Sequence, residues 1–96
     1  MIVHISKKGE GILIYKYQIS RYGTDSLALP LGSKILSVLN QREQLVLYAR
    51  VTNEKDLEFH EITVAHTGDF IQEHAIHVGS VSFDDGNIIK HVFRYL

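Results

Sequence analysis

The chain has no cysteine, no tryptophan, one proline and one methionine among its 96 residues. Without cysteine there is neither a disulfide framework nor a thiolate metal site, which fits a reducing compartment. One proline and seven glycines are too few for a low-complexity linker that would divide the chain. Charge of neither sign dominates: ten Lys and Arg stand against eleven Asp and Glu, a formal net charge of -1. Whole-chain electrostatics therefore do not draw the protein onto nucleic acid or anionic lipid, and any such contact is left to a local patch. No apolar run approaches the ~18 residues of a membrane span. Met1 to Lys8 puts its apolar residues ahead of its charges, unlike a signal peptide. The expectation is a cytoplasmic protein with no membrane attachment, for which nucleic acid is not an expected partner.

What remains is ordinary globular material, 45% hydrophobic and 22% charged. The length suits one domain over residues 1–96, because half of it could not bury enough surface to offset the lost chain entropy. A chain this size hides roughly 60–65% of the surface it exposes when unfolded. A monomer would be modestly stable, and an apolar oligomer interface would help.

The apolar segments are short, rich in β-branched and aromatic residues, and bounded by turn chemistry, which is the signature of strands. Ile2 to Ser6 and Ile12 to Ile19 read as a hairpin across Lys7 to Gly11. Ser26 to Leu29 is stopped by Pro30, whose missing N–H confines it to an edge or a strand end. Lys34 to Asn40 and Leu45 to Thr52 flank a turn at Arg42-Glu43, which would set Val38 opposite Leu47 and Leu36 opposite Ala49. Arg-Glu is poor chemistry for a primed turn, where both central residues want positive φ. An amphipathic helix from Lys34 to Leu47 is the competing reading. Leu57 to Ala65 is a further strand, ended by His66-Thr67-Gly68-Asp69.

Ile76 to Phe83 and Ile88 to Tyr95 enclose Asp84-Asp85-Gly86-Asn87, the clearest hairpin signal in the chain. Pairing around Asp85-Gly86 puts Phe83 opposite Ile88, Ser80 opposite His91, Val78 opposite Phe93 and Ile76 opposite Tyr95. Ile76, Val78, Ile89, Phe93 and Tyr95 then form the expected core face. The whole reads as all-β: a small antiparallel β-sandwich or barrel of about seven strands built from hairpins. In the central hairpin Leu36, Val38, Leu45, Leu47, Ala49 and Val51 make a core stripe. Ile35, Leu39, Val46 and Tyr48 make a second face too apolar for water, to be covered by a packed sheet or a partner subunit.

Six histidines invite a metal site, yet no ligand spacing supports one. His74 and His77 are three apart and would point to opposite faces of a strand. His91, on the expected core face, needs partners for its ring nitrogens, and the Ser80 hydroxyl is placed to be one. No nucleophile-elbow pattern frames any serine, and His66-Thr67-Gly68-Asp69 is explained as a turn. Leu31-Gly32-Ser33-Lys34 lacks the leading glycine of a phosphate loop and supports at most a weak anion nest. Tyr15-Lys16-Tyr17, with Tyr48 and Arg50, offers flat amphipathic rings suited to recognition or to cross-strand packing. The candidate ligand-binding residues are thus Tyr15, Tyr17, Lys34, Tyr48, Arg50, His77 and His91, with no catalytic residue, metal or cofactor implied.

Ile14-Tyr15-Lys16-Tyr17, Leu29-Pro30-Leu31-Gly32-Ser33-Lys34-Ile35-Leu36 before a hairpin, Thr67-Gly68 after a strand, His77-Val78-Gly79-Ser80-Val81 and His91-Val92-Phe93 follow one another along the chain. In these segments the chain resembles a family of small, uncharacterised phage and prophage proteins, over about residues 12 to 94. It departs from that pattern in an added N-terminal strand, and in His66 and Arg42-Glu43 where the family favours glycine-containing turns. The resemblance implies a phage origin, hence the host cytoplasm, and no transferable chemistry. The leading expectation is a non-enzymatic phage accessory protein that binds a host protein or a small signalling ligand as a homo-oligomer. The alternatives are a minor virion structural or assembly protein, and a metal-dependent hydrolase using histidines.

Overall fold

The computed structural model describes residues 12–95, and its seven strands are β1 (Leu13–Gln18), β2 (Gly23–Pro30), β3 (Lys34–Gln41), β4 (Gln44–Val51), β5 (Leu57–His66), β6 (Ile76–Phe83) and β7 (Ile88–Arg94). The expected strand from Ile2 to Ser6 lies outside the described residues. There is no helix among the described residues, so the helical reading of Lys34 to Leu47 is corrected to the β3–β4 hairpin. Two antiparallel sheets, ordered β1-β4-β3 and β2-β5-β7-β6, pack together without closing into a barrel. No described helix is long and apolar enough to cross a membrane.

Period-two alternation decides which face of each strand is dry. In β4 it places Leu45, Leu47, Ala49 and Val51 inward, and these are buried. They meet Ile62 and Val64 of β5, Val92 of β7, and Val81 and Phe83 of β6, with Ile19 and Leu29 completing the core. Pro30 ends the edge strand β2, where its missing N–H costs no ladder bond.

The expected registers hold near both turns, with Val38 opposite Leu47, Phe83 opposite Ile88 and Ser80 opposite His91. Farther from the turns they fail, because β3 and β6 each carry a one-residue bulge. In β3, Ile35 pairs with Ala49 and Ser37 with Tyr48, leaving Leu36 unpaired and exposed rather than opposite Ala49. In β6, His77 pairs with Phe93 and Gly79 with Val92, so Val78 is the extra residue and Ile76 faces Arg94 rather than Tyr95. A bulge shifts alternation by one and turns every later side chain to the other face. The expected core face of the last hairpin is likewise corrected: Val81, Phe83, Lys90 and Val92 are the buried set, whereas Ile89 is exposed. The surplus apolar face of the central hairpin is smaller than expected, because Ile35 turns inward against the core and Val46 is buried.

The Arg42-Glu43 turn forms despite its chemistry, both residues taking positive φ (54° and 64°). Asn40 compensates: its Oδ1 accepts the Glu43 N–H at 2.7 Å, and its Nδ2 donates to Glu43 Oε1 at 3.1 Å. The same Nδ2 donates to Ser82 O at 3.0 Å, and Glu43 Oε2 accepts the Asp84 N–H at 3.2 Å. One asparagine and one glutamate thus tie the two hairpin turns, one from each sheet.

β3 and β6 lie side by side where the sheets meet, and a Cβ placed on Gly79 would sit 3.0 Å from Val38 Cγ2. Gly79→Ala is expected to lower unfolding free energy by about 1–3 kcal/mol through overpacking of this seam, measured by urea denaturation. An unchanged midpoint would show that the seam has slack.

Candidate functional site

The outer face of the four-stranded sheet gathers two of the candidate residues. Because of the β6 bulge, His77 stands on the same face as Ser80, and Ser80 is opposite His91 on β7. Ser80 Oγ lies 2.9 Å from His91 Nδ1 and 3.1 Å from His77 Nε2, while His91 Nε2 lies 2.8 Å from Thr67 Oγ1. The four side chains form one hydrogen-bonded row, Thr67–His91–Ser80–His77. The single Ser80 proton can be given to only one imidazole, so with neutral rings the row runs in one direction, each group donating to the next. Aromatic contacts accompany it: His77 packs against Phe93 at 5.3 Å between centroids with the rings tilted by 55°, and His74 against Tyr95 at 5.3 Å. His91 is therefore on the solvent side of the sheet and not on the core face expected for it. Its partnership with Ser80 is as expected.

A serine between two imidazoles raises the question of nucleophilic catalysis, which needs a base oriented by a third group. Here that third group is the Thr67 hydroxyl, because Asp69 is turned elsewhere. Its Oδ2 accepts the His66 N–H at 2.8 Å and the Tyr22 O–H at 3.0 Å. Both nitrogens of His91 are occupied by hydroxyls, and among the described residues no three His, Asp or Glu side chains are grouped as a metal would require. Held in this way, His91 serves to orient the row, and His77, whose Nε2 is engaged by Ser80, presents its Nδ1 towards a surface laid on the sheet. A shallow hollow of about 190 Å³ beside His91, walled by Thr67, Ile71 and Phe93, gives room for a projecting group.

On the inner side of the same strands, at the end marked by His66, a lysine is buried. Lys90 is 7% exposed and donates to His66 Nε2. Its ammonium lies 5.4 Å from the centre of the Tyr22 ring, which stacks on His66 at 4.3 Å. Burial, reinforced by the nearby Arg21, pushes the Lys90 ammonium below its usual range, and Asp69 opposes this in part. Arg21 itself lies over the Phe83 ring at 4.3 Å. Asp69 is held below the usual carboxylate range by the His66 N–H and the Tyr22 hydroxyl, and Glu43 by Asn40 and the Asp84 N–H. This cluster was not legible in the sequence, since Lys90 sits in an apolar run and nothing placed it beside Tyr22.

The tyrosine constellation is divided between two faces. Tyr15 and Tyr17 stand opposite Ala49 and Leu47 on the inner side of β1, their centroids 5.5 Å apart. Tyr48 and Arg50 pair with Lys16 and Ile14 on the outer side. The expectation of one recognition site built from all four is therefore corrected. Lys34 is the cross-strand neighbour of Arg50, and it lines a separate hollow with His60 and Arg94.

Residues 12–95 match the family described as Domain of unknown function (DUF7352). The chain belongs to that family. No curated protein and no solved structure matches it. The DUF7352 match covers all seven strands and includes every candidate residue named above.

Asp69 and Glu43 set an acid-side prediction. A carboxylate whose folded value lies below its unfolded one contributes stability that is fully present above the unfolded value and is lost as pH falls through the folded one. Unfolding free energy should therefore fall below the usual carboxylate range. Asp69→Asn and Glu43→Gln should each lower stability at neutral pH and make that acid fall shallower, followed by urea denaturation from pH 7 to pH 2. Slopes identical to wild type would mean that neither carboxylate is held in this way.

Proposed function

We propose that the protein is a non-enzymatic accessory module of phage or prophage origin that acts by binding, and that it works as a homo-oligomer through the outer face of the four-stranded sheet. The observation that supports this most is the exposed apolar patch on that face. Phe59 is 75% exposed and Leu57 59% exposed on β5, and they stand opposite Ala28 and Pro30 of β2. Tyr95, whose N–H bonds to Glu61 O, and Phe93 extend the patch across β7 to the histidine row. Ile71, in the loop after β5, lines one hollow with Phe93 and His91. Aromatic side chains around a few oriented polar groups are the usual make-up of a binding hot spot. Burying such a patch would also add to the modest stability of a domain this small.

A second copy is the occupant favoured for this face. A net charge of -1 opposes self-approach very little, and a two-fold axis would let one patch cover its own image. The phage origin rests on the sequence resemblance, and with it the host protein or small signalling ligand as the further partner.

Light scattering at rising concentration tests the reading. Wild type is expected to reach at least a dimer mass, and Phe59→Asp, exposed and outside the core, to give a folded monomer with the same circular dichroism. A wild-type monomer throughout, or an unchanged assembly in Phe59→Asp, would contradict it.

A further inference from the structure

Along β5 from His66, at the other end of the inner face, a second polar group gathers. Ser33, Lys34, Ile35, His60 and Arg94 line a hollow of about 300 Å³ where the start of β3 meets β5 and β7. Three strands distant in sequence contribute to it, and the β3 bulge sets Ile35 inward while leaving Lys34 beside Arg50. Lys34 and Arg94 bring two cationic side chains to it. The carboxylate that meets His60 is already engaged: Glu58 Oε1 accepts the Gly32 N–H at 3.2 Å and lies 3.2 Å from His60 Nε2. Among the described residues no carboxylate lies within ion-pair distance of Lys34 or Arg94. The Ser33 hydroxyl is buried and donates to Pro30 O, which fixes the turn that delivers Lys34. Like charges brought together in a recess repel unless an anion joins them.

We propose that this hollow is a binding site for a small oxyanion, the phosphate or carboxylate group of a low-molecular-weight ligand. The planar guanidinium of Arg94 offers paired donors to two oxygens, and Lys34 supplies a mobile point charge. Ile35 gives an apolar wall for the organic part of the ligand, and the volume lies at the small end of ligand pockets. The site stands on the opposite side of the sheet from Phe59 and does not depend on self-association.

The test is titration of the full chain with inorganic phosphate, and separately with acetate, at constant ionic strength while backbone amide shifts are followed. Saturable shifts centred on Ser33, Lys34, His60 and Arg94 are expected. Binding should weaken about tenfold or more in Lys34→Gln and Arg94→Gln, as loss of a charge-assisted hydrogen bond implies. It should be unchanged in Arg42→Gln, a cation at the hairpin turn. A response to phosphate alone identifies a phosphate group, to acetate alone a carboxylate, and to both an oxyanion site of either kind. Should Arg94→Gln fail to fold, Lys34→Gln still decides, because Lys34 is exposed. No saturable response to either anion, or equal affinity in Lys34→Gln and wild type, overturns the proposal.

Discussion

Two unpaired residues, Leu36 in β3 and Val78 in β6, decide which side chains meet in this protein. Each inserts one position into a strand whose alternation would otherwise run unbroken. His77 shares its parity with Gly79, Val81 and Phe83, and without the bulge it would point towards the core. The bulge puts it opposite Phe93 on the solvent side, within reach of Ser80. In β3 the same device keeps Ile35 in the core beside Val38 and leaves Lys34 beside Arg50. Both bulged strands run along the seam between the sheets, where Gly79 lets Val38 approach closely. Bulges bend a strand and increase its twist, which suits a pair of strands that must turn a corner between two sheets.

The seam is held at its far end by polar contacts. Asn40 and Glu43 satisfy the strained Arg42-Glu43 turn and reach across to Ser82 and Asp84 of the other hairpin. A turn with unfavourable intrinsic chemistry persists because its neighbours over-determine it. The dry slab of Leu45, Leu47 and Ala49 against Ile62, Val64 and Val92 then needs no further positioning.

Patterns carried by neighbouring residues in one strand or one hairpin were legible in the sequence. The inner stripe of β4, the Ser80–His91 pairing and the role of Pro30 all follow from period two, loop length and the missing proline N–H. The unbroken alternation that gave those results also misplaced Leu36, Val78 and Ile76, since nothing in the composition of β3 or β6 announces an extra residue. The core face of β7 was misread for a related reason: Lys90, a charged residue, takes an inward position beside His66, while Ile89 and Phe93 face outward. Strand order left no mark on the sequence at all. The meeting of Lys34 with His60 and Arg94, and of Tyr22 with His66 and Lys90, depends on that order.

Both candidate surfaces, the histidine row outside and the cationic hollow inside, depend on those bulges, so the strand register in solution bears on both at once. Cross-strand nuclear Overhauser effects in the β6–β7 ladder measure it directly. Contacts pairing His77 with Phe93 and Gly79 with Val92, with Val78 unpaired between them, are expected. Contacts pairing Val78 with Phe93 and Ile76 with Tyr95 would instead mean an unbroken ladder with His77 turned inward, and the histidine row could not then form.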